Sequence, residues 1–272
     1  MSKKLRVGII GCGAIGSRIA KSLKKELRND CELSGLYDID PYKAAYLAKT
    51  LDVKKTVKKS LKDLIRSCDL AVEAITSKDT KAIIREILKA KKSVLAMSVG
   101  KLLDAQDLFK LAQKNKCSIL LPSGAIAGLD AIKAASLQNI DKITLTTRKP
   151  PAGFAKSVHV LEKGIDLSEI KTETVLFQGN VNSAVKLFPE NINVAATLAL
   201  ASQAQDKMTV RIITSPEFKT NSHEVEVTGD FGQMVSRTNN VPCPDNPKTS
   251  YLAVLSAIQT LKQFFSVSKI GT

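Results

Sequence analysis

Apolar and polar positions alternate regularly over the first half of the chain. Val7-Gly8-Ile9-Ile10 reads as a buried strand, and Ile15, Ile19, Leu23 and Leu27 then recur every four residues, which places one apolar stripe on a helix. A second strand is predicted over 31–37, and a helix begins at Pro41. Strand-like runs at 69–75, 93–97 and 118–121 alternate with helical patterns at 79–89 and 104–114. Such alternation, sustained over about 120 residues, predicts a doubly wound parallel sheet with helices on both faces.

From about Gly124 the rhythm changes. A helix at 129–137 leads to a strand at 142–147, and Arg148-Lys149-Pro150-Pro151 reads as a break. Period-two runs follow at 174–177, 208–214 and 223–228, with helical patterns at 181–187 and 193–201. Strands without βαβ alternation predict a second, α+β domain on a mostly antiparallel sheet. After the turn Pro242-Cys243-Pro244-Asp245-Asn246-Pro247, an amphipathic helix at 249–265 closes the chain. The expected organisation is a first domain at 1–123, a second at 124–245, and a C-terminal segment at 246–272 that packs back on the first.

At the first strand-to-helix turn stands Gly11-Cys12-Gly13-Ala14-Ile15-Gly16. Gly11 permits the tight turn, Gly13 lets the backbone approach a pyrophosphate, and Gly16 lets the helix pack close to the strand. The phosphates would sit on the exposed N–H groups that open the helix, those of Ala14 and Ile15 among them. This spacing also arises by chance in loops, so its context decides: a strand before it, an amphipathic helix after it, and Asp38 at the end of the second strand. The first domain is therefore read as a Rossmann dinucleotide-binding domain. A carboxylate at position 38 accepts from a ribose 2′-hydroxyl and repels a 2′-phosphate, which favours NAD. Lys43, Lys54 and Lys55 follow it, and any that folds over the adenosine offsets that repulsion, so NADP stays open. Ligands bind beyond the carboxyl ends of such strands, so Thr76-Ser77, Ser98-Val99-Gly100 and Pro122-Ser123-Gly124-Ala125 are expected at the same crevice.

Composition narrows the class. With 272 residues and 44% hydrophobic content the chain can bury a sizeable core. No apolar run approaches the ~20 residues needed to span a bilayer, and Met1-Ser2-Lys3-Lys4 leads straight into the first strand, so a soluble cytoplasmic protein with no membrane partner is expected. Five cysteines, scattered without C-x-x-C spacing, read as reduced thiols rather than a disulfide framework or metal site. A net charge of +15, densest over 54–62, raises the question of nucleic acid. Aromatics amount to only 4%, tryptophan is absent, and no helix-turn-helix or zinc module is present, so no nucleic-acid partner is expected. The surplus lysine instead solvates the surface and draws in anionic ligands.

Candidates for proton transfer are few, because the chain has two histidines, His159 and His223. In Asn221-Ser222-His223-Glu224-Val225-Glu226-Val227, alternation puts His223 on the face of Val225 and Val227, which a sheet turns toward a core or cleft. A histidine on an apolar face also serves as a purely structural residue. His159 lies in a weakly patterned segment after the proline break. Asn191 and Asn193 stand near the start of a helix, where asparagine caps helices but where its carboxamide can also bond a nicotinamide amide.

As a set, these motifs resemble the L-aspartate dehydrogenase family. The resemblance rests on Pro122-Ser123-Gly124-Ala125-Ile126-Ala127-Gly128-Leu129-Asp130, Thr146-Thr147-Arg148-Lys149-Pro150-Pro151, the segment 188–196, His223-Glu224, and Asn246-Pro247-Lys248-Thr249-Ser250, in that order. It implies oxidation of L-aspartate with NAD or NADP to iminoaspartate, which hydrolyses to oxaloacetate and ammonia or feeds NAD biosynthesis. It further implies that Ala125 and one of Asn191 or Asn193 contact the cofactor, that His223 is the active-site histidine, and that L-aspartate is the small-molecule substrate. Ser183 stands where the family commonly has an acidic residue before Ala-Val-Lys, a departure that bears on substrate specificity. Two substrate carboxylates call for cations, and Arg148, Lys149 and Lys248 are candidates by charge, with no metal required. An exposed sheet in the second domain would suit a homodimer. The alternatives are another two-domain oxidoreductase of dihydrodipicolinate-reductase-like architecture, whose paired-histidine segment is absent here, and a non-catalytic NAD(P)-binding sensor.

Overall fold

Two five-stranded sheets organise the chain, as seen in a computed structural model that describes residues 4–189, 192–244 and 246–271. The chain divides into two units, Met1–Pro122 with Val254–Lys269, and Ser123–Ala253 with Ile270–Thr272.

In the first unit, β1 (Leu5–Ile10), β2 (Cys31–Tyr37), β3 (Leu70–Glu73), β4 (Ser93–Ala96) and β5 (Ile119–Leu120) form a parallel sheet in the order β2-β1-β3-β4-β5. The order reverses direction at β1, so the topological switch lies between β1 and β3, where such sheets bind ligands. A single parallel bridge from Leu36 to Val57 stands on the outer side of β2, where a further strand would pair.

The helices of this unit are α1 (Ala14–Lys24), α2 (Pro41–Thr50), α3 (Leu61–Ser67), α4 (Thr80–Lys89) and α5 (Gln106–Lys114). Ile19 and Leu23 of the predicted α1 stripe are fully buried, as is Leu27 in the turn beyond the helix. Burying each such side chain contributes roughly 1.5–3 kcal/mol. Asp40 caps α2 by accepting from the Tyr42 N–H at 3.0 Å, with Pro41 at the first helical position. Helix α3 falls in the lysine-rich segment where charge obscures periodicity. Its signal is local: Ser60 Oγ accepts from the Asp63 N–H at 3.1 Å, a cap worth about 1 kcal/mol.

In the second unit, β6 (Ile140–Lys149), β7 (Thr174–Asn180), β8 (Met208–Thr214), β9 (Asn221–Gly229) and β10 (Gly232–Asn240) form a sheet ordered β10-β9-β6-β8-β7. Only the β6–β8 pair is parallel, so the sheet is mixed and predominantly antiparallel. Helices α6 (Leu129–Ala135), α7 (Val158–Glu162), α8 (Val181–Leu187) and α9 (Asn193–Ser202) belong to this unit, and α9 is buried around most of its circumference. Strand β6 continues through Arg148 and Lys149, and the chain breaks only at Pro150, which has no N–H for the ladder. Strand β10 has no counterpart in the predicted elements, because Ser236 to Asn240 is polar on both faces of an edge strand. The final helix, α10 (Tyr251–Phe265), follows a short hairpin of Pro242–Cys243 with Asn246–Ser250, and buries Val254, Ala257 and Leu261. No helix among the described residues is long and apolar enough to cross a membrane.

Candidate functional site

In the first unit the glycine loop closes the β1–α1 turn with different demands at each glycine. Gly11 takes φ +94°, a left-handed conformation, and a Cβ there would meet the Ala74 carbonyl oxygen at 2.4 Å. A Cβ on Gly16 would come within 1.9 Å of the Gly11 carbonyl oxygen, so α1 reaches the strand only through glycine. Gly13 is different. It caps α1 with φ −72° and ψ −168°, values open to any L-residue, and a Cβ there would meet nothing within 4 Å. Neither backbone nor packing demands glycine at 13, and the space beside it is open.

Asp38 follows β2 and ties the loop down. Its Oδ2 accepts the Cys12 N–H at 2.7 Å and its Oδ1 accepts the Asp40 N–H at 2.9 Å. A carboxylate has about four acceptor directions, so these two bonds do not exhaust it. Cys12 is buried, and burial, reinforced by the Asp38 charge, pushes its thiol up to about 12, which leaves it an inert thiol in the loop. Of the lysines considered as partners for a 2′-phosphate, Lys43 lies 4.0 Å from Asp40. Lys54 and Lys55 line a groove of about 900 Å³ with Lys4, Lys24 and Arg28 at the amino ends of β1 and β2, opposite Asp38.

One residue at this sheet edge lay outside the sequence reading. Glu73 ends the central strand β3 fully buried, and its carboxyl accepts N–H bonds from Ile75 at 3.2 Å and Ser98 at 3.1 Å. Its signal was present as the lone acid in the apolar run Leu70-Ala71-Val72-Glu73-Ala74-Ile75.

In the second unit, the registers of β6, β9 and β10 place Thr147, His223 and Thr238 side by side. His223 is 4% exposed, at the end of the core face formed by Leu145, Val225 and Val227. Its Nδ1 lies 3.0 Å from Thr147 Oγ1. Burial, and secondarily the positive charge of Lys149, push the imidazole down to about 3, so it is neutral at physiological pH. Thr238 Oγ1 donates to the Ala125 carbonyl at 2.7 Å, and Asn240 Nδ2 donates to the same oxygen at 3.1 Å. These bonds pin the 124–128 loop to β10 beside His223. Both donors escaped the sequence reading because β10 did.

The strand pleat separates two of the candidate cations. Lys149 shares the face of Thr147 and His223, whereas Arg148 lies on the opposite face, 3.6 Å from Glu224, which is itself 3.8 Å from Arg237. The side chain of Lys248 lies outside the described residues, as does Asn191. Asn193 is exposed as the first residue of α9, while the capping position belongs to Ile192, which makes no side-chain cap. His159 packs among aromatic rings, its centroid 5.4 Å from Phe188 and 6.1 Å from Phe177. Ser183 sits in the first turn of α8, whose N-terminus is capped by Asn180 Oδ1 accepting the Ser183 N–H at 2.9 Å.

The chain is 44% identical over 271 residues to the L-aspartate dehydrogenase of Methanosarcina mazei, spanning 98% of this chain and 100% of the relative. It belongs to the L-aspartate dehydrogenase family. A second member of that family, from Methanosarcina barkeri, is 43% identical with the same coverage. The family model described as aspartate dehydrogenase, C-terminal, matches residues 130–264, and that of the NAD binding domain of homoserine dehydrogenase matches residues 11–122. The crystal structure of aspartate dehydrogenase from Thermotoga maritima, 24% identical, shares the fold with a TM-score of 0.74 over 99% of this chain and 100% of that one.

Proposed function

We infer that this chain is an NAD(P)-dependent L-aspartate dehydrogenase, which oxidises the amine carbon of L-aspartate to give iminoaspartate. Full-length identity of 44% to a protein of that name carries the reading. The product hydrolyses to oxaloacetate and ammonia or supplies pyridine-nucleotide synthesis. When bound, the nicotinamide accepts a hydride from the substrate α-carbon.

The chain's own residues do the rest. Gly11, Gly13 and Gly16 with the Ala14 and Ile15 amides hold the pyrophosphate, and Asp38 holds the adenosine ribose. Asp38, together with the placement of Lys54 and Lys55 at the far end of the strands, supports NAD over NADP. Among structural neighbours, one was solved in complex with NAD and one with NADPH, so the shared fold accommodates either. Ala125 and one of Asn191 or Asn193 contact the cofactor. His223, neutral and oriented by Thr147, takes the proton that the substrate amine releases, and Lys149 is the cation on the same face for a substrate carboxylate.

The second sheet also supports a homodimer. Its face opposite His223 exposes Val175 and Val235. A second copy of the chain would cover both; light scattering at the monomer mass would refute this.

Purified protein given L-aspartate and NAD at alkaline pH should produce the NADH absorbance band. Binding of NADH without any gain in absorbance would leave a cofactor-binding sensor instead.

A further inference from the structure

Ser98 Oγ lies 2.8 Å from Glu73 Oε1 and 2.7 Å from the Ile75 carbonyl oxygen. A hydroxyl carries one proton, and a carbonyl oxygen only accepts. If that proton points to Ile75, the contact with Glu73 brings two lone pairs together at 2.8 Å unless Glu73 supplies a proton. If it points to Glu73, the same conflict moves to Ile75. One further proton, on Glu73, resolves both: Glu73 donates to Ser98 Oγ, and Ser98 donates to Ile75. The carboxyl still accepts from the N–H groups of Ile75 and Ser98.

We propose that Glu73 is held as a neutral carboxylic acid and that, granted the reading of the glycine loop as a dinucleotide cradle, it is a positioning residue for that cradle. Glu73 is fully buried, and none of the ion pairs among the described residues involves it. Burial favours the uncharged form and raises its pKa. The connection to the cradle runs through one peptide. Ala74 donates its N–H to the Ile10 carbonyl at 2.9 Å, and its own carbonyl is the group that a Cβ on Gly11 would strike. By bonding Ile75 just beyond its own strand and Ser98 just beyond β4, Glu73 fixes Ala74 against Gly11. A neutral acid does so without placing an anion beside a site built for pyrophosphate.

The test pairs infrared difference spectroscopy at neutral pH, on protein with isotope-labelled glutamate, with NADH titration followed by fluorescence. Wild type minus Glu73→Gln should show the carbonyl stretch of a protonated carboxyl group. Glutamine keeps a donor for Ser98 Oγ and an acceptor for the Ser98 N–H but turns its amide nitrogen toward the Ile75 N–H, so Glu73→Gln should bind NADH more tightly than Glu73→Ala, with Glu73→Ala and Ser98→Ala about tenfold weaker than wild type. A difference band of an ionised carboxylate, or no band, overturns the neutral acid. NADH affinity in Ser98→Ala equal to wild type, or in Glu73→Gln as weak as in Glu73→Ala, overturns the positioning role. Failure of wild type itself to bind NADH overturns the cradle reading and the positioning role with it, while the infrared band still decides the protonation state.

Discussion

Thr147 Oγ1 and His223 Nδ1 lie 3.0 Å apart because the two residues face each other in the β6–β9 register. A contact made by register is held by the whole ladder of backbone bonds, which fixes the imidazole ring to the accuracy of the sheet. The threonine therefore decides which ring nitrogen remains for a substrate proton. Replacing His223 by alanine should lower kcat roughly 10²–10⁴-fold, the range of lost general acid–base catalysis, with NADH affinity unchanged. Thr147→Val keeps shape and burial but removes the bond, and should lower kcat roughly tenfold. Steady-state kinetics alongside NADH fluorescence titration checks both, and full turnover in His223→Ala would remove His223 from the proton path.

Protonation of the same ring links pH to stability. Its pKa is about 3 in the folded chain against 6.5 for the ordinary side chain, so below pH 6.5 the unfolded state binds the proton first. The stability that depends on neutral His223 is complete above pH 6.5 and declines as the pH falls toward 3, by up to about 1.4 kcal/mol per pH unit. Urea unfolding from pH 7 to pH 4 should show a falling midpoint, with a shallower fall in His223→Gln. Equal slopes would show that the buried ring is not the titrating group.

Two glycines of the loop should separate folding from binding. Gly16→Ala drives a Cβ to within 1.9 Å of the Gly11 carbonyl, and should cost about 1–3 kcal/mol or more of stability together with cofactor binding. Gly13→Ala adds a Cβ that meets no protein atom, so stability should change by less than about 0.5 kcal/mol while NADH affinity falls about tenfold. Thermal melts and NADH titrations of the two variants check the contrast. Unchanged affinity in Gly13→Ala would place the pyrophosphate elsewhere.

Cofactor choice should turn on Asp38. Asp38→Asn keeps an oxygen to accept the Cys12 N–H, gives up the bond from the Asp40 N–H, and removes the negative charge that would face a 2′-phosphate. The ratio of kcat/KM for NADP over NAD should rise about tenfold, measured with L-aspartate at saturation. No change in the ratio would mean that selectivity is set by other residues.

Much of this molecule was legible from one dimension. The Gly11–Gly16 spacing, the 31–37 strand ending before Asp38 and the alternation through 121 specify a doubly wound domain, because helix and strand periods and glycine geometry are local properties. His223 stood out for the same reason, as a polar residue on an apolar strand face. Helix α3 and strand β10 went unread because charge and polarity mask their periods, and with β10 went Thr238 and Asn240.

What only tertiary structure decided are relations between residues far apart in the chain. Thr147 meets His223 across 76 positions, Thr238 reaches Ala125 across 113, and Ser98 closes on Glu73 across 25. Register also sorted Lys149 from Arg148, adjacent in sequence but on opposite faces of one strand. Local pattern determines which face a side chain takes relative to its own element; which strand lies alongside, and at which offset, follows from packing the whole core.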